Sequence, residues 1–341
     1  RSALISLSNT SDDRMRLAKS GRWWESNVQR ALANNSAAYT EKPDMGIYME
    51  EWKSLYESKS GERGMFNRAA AKAQAGKNGR RDIEHEFGTN PCSEIILRPN
   101  QFCNLSEVIA RPSDSIESLA EKVEMATILG TIQSTLTNFR YLSTKWRKNT
   151  EEERLLGVSI TGIYDCPALY NSTVSELNKL RDKAIETNKK WAKKLHISES
   201  AAITCIKPSG TVSQLVNSAS GIHPRYNDHY IRRVRNDKKD PLSQTVIDSG
   251  VPYSSDPYNG NAWVFDFPMK APPKAITRKS LGPLDQLELW KHFASHYCEH
   301  KPSMTCYVGE KDWPEVGAWV WKNFDIINGI SFLYFSAASL S

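Results

Sequence analysis

Five consecutive residues, Asn90-Pro91-Cys92-Ser93-Glu94, set an amide, a thiol and a carboxylate at two-residue spacing. In an extended chain successive side chains alternate, so Asn90, Cys92 and Glu94 are expected to project from one face. Pro91 pushes Asn90 toward the extended region and favours that geometry. The thiol could then act as nucleophile or hydrogen-atom donor, the carboxylate as general base, and the amide as an orienting group on one small substrate. The plainer reading of the same residues is a turn holding a buried cysteine beside an incidental glutamate, and spacing alone does not separate the two. Cys103 lies eleven residues further on, within Phe102-Cys103-Asn104-Leu105-Ser106-Glu107-Val108. A strand, a turn and a return strand would bring the two sulfurs together; a second small core hydrophobe is the competing account.

A second cluster, Lys207-Pro208-Ser209-Gly210-Thr211-Val212-Ser213, combines a glycine, three hydroxyls and a lysine. Such a loop can offer backbone N–H groups, hydroxyls and a cation to phosphate oxygens. It lacks the G-x-x-x-x-G-K-[ST] pattern, and a polar strand-to-helix turn explains it equally well. Ser218-Ala219-Ser220-Gly221-Ile222-His223 extends the small-residue stretch, with His223 read as a turn or surface histidine before a catalyst. Cys166, Cys205, Cys298 and Cys306 read as buried or incidental thiols. The last two flank a second Lys-Pro-Ser at 301–303, for which the sequence suggests no mechanism. No C-x-x-C pair and no Cys/His cluster has zinc-ligand spacing, so no metal site is expected.

These groups need elements to hold them. Residues 116–141 read as a long amphipathic helix with Ser113 or Asp114 as its N-cap. Thr173-x-x-Glu176 has the spacing of a capping box and opens a helix running to about 196. The apolar run 201–206 reads as a buried strand entering the 207–213 loop, and 262–267 as a strand stopped by Pro268. A helix is expected over 284–297, a strand over 304–308, a helix over 315–324 and a strand over 327–335. Strands alternating with helices imply one α/β domain with a parallel-type sheet or barrel. In such folds the chemistry sits on loops leaving the carboxyl ends of strands.

The composition is that of a globular chain: 341 residues, 39% hydrophobic, 25% charged, with 10 Trp, 13 Tyr and 10 Phe. It is too aromatic for a disordered chain. No apolar run approaches the roughly 20 residues that cross a bilayer. The net charge of +6, from 45 Lys+Arg against 39 Asp+Glu, is a mild excess that favours anionic small molecules without naming one. No nucleic-acid motif accompanies it. Six cysteines are too few for a secreted disulfide scaffold, so reduced thiols are expected.

In their order along the chain, several segments resemble the catalytic subunits of ribonucleotide reductases, above all the monomeric adenosylcobalamin-dependent ribonucleoside-triphosphate reductases (class II). They are Arg-Ala-Leu-Ala-Asn-Asn-Ser at 30–36, Ser-Gly-Glu-Arg-Gly-Met-Phe-Asn at 60–67, Asn-Pro-Cys-Ser-Glu at 90–94 and Cys-Asn-Leu-Ser-Glu-Val at 103–108. Arg-Leu-Leu-Gly-Val-Ser-Ile-Thr-Gly at 154–162, Lys-Pro-Ser-Gly-Thr-Val-Ser-Gln-Leu-Val at 207–216 and Ser-Gly-Ile-His-Pro-Arg-Tyr at 220–226 complete the set. The resemblance implies an α/β fold that is a portion of the ten-stranded barrel of these subunits, with the active-site cysteine on an internal finger loop. Residues 1–333 would be its central and C-terminal part, and 334–341 an atypical tail.

The resemblance also implies roles. Cys92 would be the thiyl-radical cysteine that abstracts the 3′ hydrogen of a ribonucleotide, Glu94 the general base on the 3′-hydroxyl, and Asn90 a hydrogen-bond partner of the ribose hydroxyls. Cys103 would be one of two thiols that deliver reducing equivalents. Pro208, Ser209, Gly210, Thr211 and Ser213 match the segment that cradles substrate phosphates. The implied cofactor is adenosylcobalamin, with cobalt in its corrin, and the implied partner an external dithiol reductant such as thioredoxin; the complete enzyme would be a cytoplasmic monomer engaging neither nucleic acid nor membrane. The redox partner of Cys103 and the effector region would lie upstream of Arg1, so the 341-residue chain alone is expected to be inactive. Two rivals remain. One is a class I large subunit, which passes its radical through adjacent tyrosines late in the chain, although no Tyr-Tyr pair occurs here. The other is a non-catalytic nucleotide-binding remnant, against which the retention of Asn90, Cys92, Glu94 and Cys103 argues.

Overall fold

The structure, a computed structural model, describes residues 4–335. Three strands near its start, β1 (Leu4–Ser8), β2 (Ala33–Tyr39) and β3 (Gly64–Asn67), pair in parallel in that order. A short hairpin follows, with β4 (Gly88–Thr89) antiparallel to β5 (Ile96–Leu97). Next, β6 (Asn104–Ile109) pairs in parallel with β7 (Leu156–Thr161) across an intervening helix, α1 (Ile116–Gln133). Further on come an antiparallel group of β8 (His229–Asp237), β9 (Tyr253–Ser255) and β10 (Ala262–Lys270) and a parallel pair of β11 (Thr305–Gly309) and β12 (Ser331–Phe335).

Isolated bridges join the parallel pieces into one run. Met65 and Ile330 exchange both backbone hydrogen bonds at 3.0 and 3.2 Å, which sets β3 antiparallel to the segment entering β12. Ile206 pairs in parallel with Pro302, and Thr204 with Val158. The resulting order is β1, β2, β3, β12, β11, residues 204–206, β7, β6. Every residue of β7 is buried, as expected for a strand covered on both faces. Its Leu156, Val158 and Ile160 belong to one large hydrophobic core with Leu119 and Val123 of α1, and with Trp290, Phe293, Val316 and Val320 from the helices Pro283–His296 and Trp313–Lys322.

Several boundaries differ from expectation for identifiable reasons. The α1 helix is capped by Ser115, not Ser113 or Asp114, and ends at Gln133. There the Ser134 and Thr135 hydroxyls turn back onto the Thr131 and Ile132 carbonyls, a local alternative to propagating the helix. The Thr173/Glu176 capping box forms as read and opens the helix Val174–Leu195. Residues 201–206 make two single bridges in place of a regular strand. Pro268 does not stop β10: it pairs opposite Ile231, beyond the stretch covered by β9, where the missing N–H leaves no ladder bond unmade. The antiparallel β8–β10–β9 group departs from the expected parallel pattern; β8 is charged and largely exposed, so no apolar run announced it. The last strand is shorter than 327–335: it begins at Ser331, directly after Ile330 makes its single antiparallel bridge to Met65. Of the expected tail at 334–341, Tyr334 and Phe335 complete β12, and the rest lies outside the described residues.

Candidate active site

The β4–β5 hairpin carries Asn90–Ile95 at its tip. The tip is a turn: Ser93 N–H donates to the Asn90 carbonyl at 2.9 Å, and Ser93 takes a left-handed φ of 65°. The Asn90 side-chain oxygen accepts from Ile95 N–H at 3.0 Å, and the Thr89 hydroxyl donates to the Ile95 carbonyl at 2.8 Å. Because Ser93 breaks the strand alternation, Asn90, Cys92 and Glu94 do not share one extended face as their spacing suggested. Cys92 is exposed and Glu94 is 1% exposed. The amide still acts on the carboxylate: the Asn90 side chain is near enough to oppose the upward pull of desolvation on the Glu94 carboxyl.

Neighbouring segments clamp the tip from three sides. Asn34 of β2 donates to the Pro91 carbonyl at 2.7 Å, and the Ser303 hydroxyl donates to the Cys92 carbonyl. Lys301 N–H donates to the Glu94 carbonyl at 3.3 Å. At the base of the hairpin, Ile96 N–H donates to His300 Nδ1 at 3.3 Å while His300 Nε2 meets the Leu156 carbonyl at 3.0 Å. That pattern makes His300 a neutral imidazole with its proton on Nε2, and burial with the nearby Arg81 charge lowers its pKa to about 3.

Cys92 and Ser93 open onto a cavity of about 290 Å³, walled also by Asn34, Ser36, Thr305 and Ser331. Its lining mixes hydroxyl-bearing and glycine residues with apolar ones such as Ile5, Met65 and Ile330, and includes the acidic Glu62. Glu94 and Cys103 do not line it; they sit behind the tip. The Cys103 sulfur packs over β7, 3.3 Å from the point a Cβ on Gly157 would occupy. Desolvation and the Glu94 charge push the Cys103 thiol well up, with Arg81 opposing. Desolvation also raises the Glu94 carboxyl, against the pull of Asn90, Lys207 and Lys301. Cys205, assigned no role from sequence, is buried within electrostatic reach of both Glu94 and Cys103.

The 207–213 segment is pinned by its own hydroxyls. Lys207 N–H donates to Ser159 Oγ at 2.8 Å, Ser209 N–H to Ser220 Oγ at 2.9 Å, and Ser213 N–H to Ser209 Oγ at 2.9 Å. The Ser213 hydroxyl in turn donates to the Ser209 carbonyl. Ser209 and Ser213 are therefore buried and bonded to each other, Pro208 is half-buried, and Gly210 and Thr211 are exposed. Gly221 must be glycine here, because at its φ of 54° a Cβ would stand 2.5 Å from the Lys207 carbonyl oxygen.

None of Pro208, Ser209, Gly210, Thr211 and Ser213 lines the Cys92 cavity, yet a hydrogen-bonded chain connects the two regions. Thr305 N–H, on the cavity wall, donates to His223 Nε2 at 3.1 Å, and His223 Nδ1 reaches the Ser220 carbonyl at 3.0 Å. Ser220 holds Ser209. His223 also lines an adjoining cavity of about 300 Å³, with Ser220, Arg225, Tyr226, Arg232 and Tyr307. The histidine read as a turn residue is thus the joint between two cavities, and burial lowers its pKa. Only its place beside the glycine-rich stretch hinted at this. Among the described residues no group of His, Cys, Asp and Glu is arranged to hold a metal ion, and no helix is long and apolar enough to cross a membrane.

Comparison with known proteins bears on fold and kinship. No protein-family model matches the chain. An adenosylcobalamin-dependent ribonucleoside-triphosphate reductase of Lactobacillus delbrueckii subsp. bulgaricus is 24% identical over 298 residues, which cover 78% of this chain and 39% of that protein. The crystal structure of a B12-dependent, class II ribonucleotide reductase matches with a TM-score of 0.78 at 21% identity, over 99% of this chain and 51% of the other. The alpha subunit of a class Id ribonucleotide reductase from Actinobacillus ureae matches with a TM-score of 0.62 at 13% identity, over 98% of this chain and 71% of that subunit. The fold is therefore a portion of the α/β barrel of ribonucleotide reductase catalytic subunits, and the chain spans 39% of its bacterial relative's length. The chain is a part-length relative of the adenosylcobalamin-dependent, class II ribonucleotide reductases.

Proposed function

We propose that this chain carries the radical and acid–base residues of an enzyme that reduces ribonucleoside triphosphates to 2′-deoxyribonucleotides for DNA synthesis. The observation that carries the reading is the hairpin tip, where an exposed thiol faces a cavity and a buried carboxylate, two residues on, sits behind it within reach of the Asn90 amide. In this role Cys92 removes the 3′ hydrogen of the ribose as an atom, forming a new S–H bond. Glu94, whose desolvation strengthens it as a base, accepts the 3′-hydroxyl proton, and Asn90 orients the ribose hydroxyls. The 2′-hydroxyl leaves as water, and Cys103 supplies one of the two thiols that become a disulfide. That disulfide is reset by an external dithiol of the thioredoxin kind. Gly210 and Thr211, exposed beside the pinned Ser209–Ser213 pair, are the members of the 207–213 segment open to substrate phosphates.

Adenosylcobalamin fits the site on one count. A group too large for a cavity of about 290 Å³ must approach Cys92 from outside, and the thiol is exposed to allow this. Ser60, Gly61 and Leu333, which share the lining with Cys92, are the residues that would hold its edge. When bound, the cofactor supplies the homolysis that makes the thiol a radical. The remaining work, positioning and exclusion of water, belongs to the residues above. The complete enzyme acts as a monomer in the cytoplasm.

The test supplies ribonucleoside triphosphate, adenosylcobalamin and a dithiol to the protein as its source produces it. The expected result is 2′-deoxynucleotide that disappears in Cys92→Ser while nucleotide binding persists. Turnover unchanged by Cys92→Ser, or turnover that requires a second, metal-containing subunit, overturns the reading.

A further inference from the structure

Lys301 is an ionisable side chain packed behind the hairpin tip. It is fully buried, and its Nζ has no hydrogen-bond partner. The Phe66 ring centroid is 5.9 Å away. A Cβ on Gly329 would stand 1.9 Å from Nζ and 2.9 Å from Ser93 Oγ, so glycine at 329 is what leaves the amine room beside the hairpin tip. Gly329 and Ser93 both wall the Cys92 cavity, which puts Lys301 just behind that wall.

The group Lys301 answers to is Glu94. It is the one carboxylate whose charge acts on Lys301, and its own Oε2 is buried without a partner. The hydrogen bond from Lys301 N–H to the Glu94 carbonyl fixes the two residues side by side. Buried polar atoms without partners are costly, and here an unpartnered ammonium and an unpartnered carboxylate oxygen belong to residues joined through their backbones behind the Cys92 thiol, without closing to an ion pair. The other groups facing Glu94 are Asn90 of the tip, Lys207, and the thiols Cys103 and Cys205. Lys207 exerts the larger of the two lysine pulls on the Glu94 carboxyl, but it is half-exposed and open to screening by water, whereas Lys301 acts through the protein interior.

We propose that Lys301 is a positioning residue for the Glu94 base, its buried ammonium being the countercharge that keeps the carboxylate ionised until a substrate hydroxyl arrives. This deepens, and rests on, the reading of Glu94 as general base. The proton passes from the ribose hydroxyl to Glu94; Lys301 keeps its own protons and supplies only the field. Burial lowers the Lys301 pKa to about 7, with Glu94 opposing.

The test follows the Glu94 carboxyl directly, by carbon-13 NMR of glutamate-labelled chain, with the resonance assigned by its loss in Glu94→Gln. In Lys301→Met, which keeps length and apolar bulk, the Glu94 midpoint should move up by about one pH unit or more, an approximately tenfold gain in proton affinity. Lys207→Met should move it less. An unchanged midpoint in Lys301→Met, or a larger shift in Lys207→Met, overturns the proposal. Should Lys301→Met fail to fold, the wild-type chain still decides: the Glu94 resonance should show a second inflection where Lys301 loses its proton, and a single inflection counts against the pairing. None of these readouts needs turnover, so their failure is separate from failure of the reductase reading, which Cys92→Ser decides.

Discussion

At the scale of single residues, two opposed titrations meet behind the hairpin tip. The Glu94 carboxyl is raised in the fold by desolvation, so its contribution to stability is greatest below its unfolded value and is lost as pH rises through the folded one. Lys301 runs the other way: its pKa falls from 10.5 to about 7, so its contribution is full above 10.5 and is lost as pH falls through about 7. Each group is a liability when charged in an apolar place, and each offsets part of the other's cost. Lys301→Met should therefore melt at least as high as wild type at about pH 7, and its advantage should shrink as pH approaches the lysine's unfolded pKa. Thermal melts followed by circular dichroism at neutral and alkaline pH check this; a Lys301→Met melting point well below wild type at neutral pH would mean that the ammonium is a structural anchor. Glu94→Gln keeps the shape and removes the charge, so it should fold with wild-type stability at neutral pH while losing product formation.

At the scale of elements, the hairpin is held by single contacts that are easy to break one at a time. The Ser303 hydroxyl donates to the Cys92 carbonyl. Ser303→Ala should cost about 1 kcal/mol in urea unfolding and speed hydrogen exchange across residues 90–95. Gly329→Ala is more severe, because the new methyl meets a buried amine that has nowhere to go. It should cost about 1–3 kcal/mol, and in a double-mutant cycle most of that cost should vanish once Lys301 is shortened to alanine.

These elements also mark what a sequence can carry. The Thr173/Glu176 cap and the helix it opens were legible because capping is settled within four residues. The chemistry-bearing residues at 90–94 were legible by type and spacing, but their geometry was not. Ser93 takes a positive φ because Asn34, Ser303 and Lys301, distant in the chain, fix the tip around it. Lys301 was visible only as a repeated Lys-Pro-Ser, since its burial depends on Gly329 and Phe66 arriving from other strands. His223 likewise acquired its position from Thr305, 82 residues away.

At the scale of the whole molecule, the site stands where two sets of parallel strands meet head to tail. The junction is narrow, resting on the Met65–Ile330 bridge, and the cavity opens beside it with walls from β2, the β11–β12 pair and the hairpin tip. Stability is distributed unevenly on either side. On the β7 side every strand residue is buried and tied to the main core, and the buried Asp165 carboxylate grips Arg225 through two bonds of 2.8 Å that brace the loop carrying His223. On the other side β1 is an edge strand whose residues are exposed or half-exposed. Opening should therefore begin at β1 and reach β7 only with global unfolding. Hydrogen exchange read by mass spectrometry should show the amides of Leu4–Ser8 exchanging early and those of Leu156–Thr161 last. Asp165→Asn, which leaves the Arg225 charge buried with a weakened partner, should cost several kcal/mol and speed exchange in residues 218–225 before it affects β1. Equal protection of β1 and β7 would mean instead that the two sets unfold as one unit, and that the cavity between them is walled by a single cooperative body.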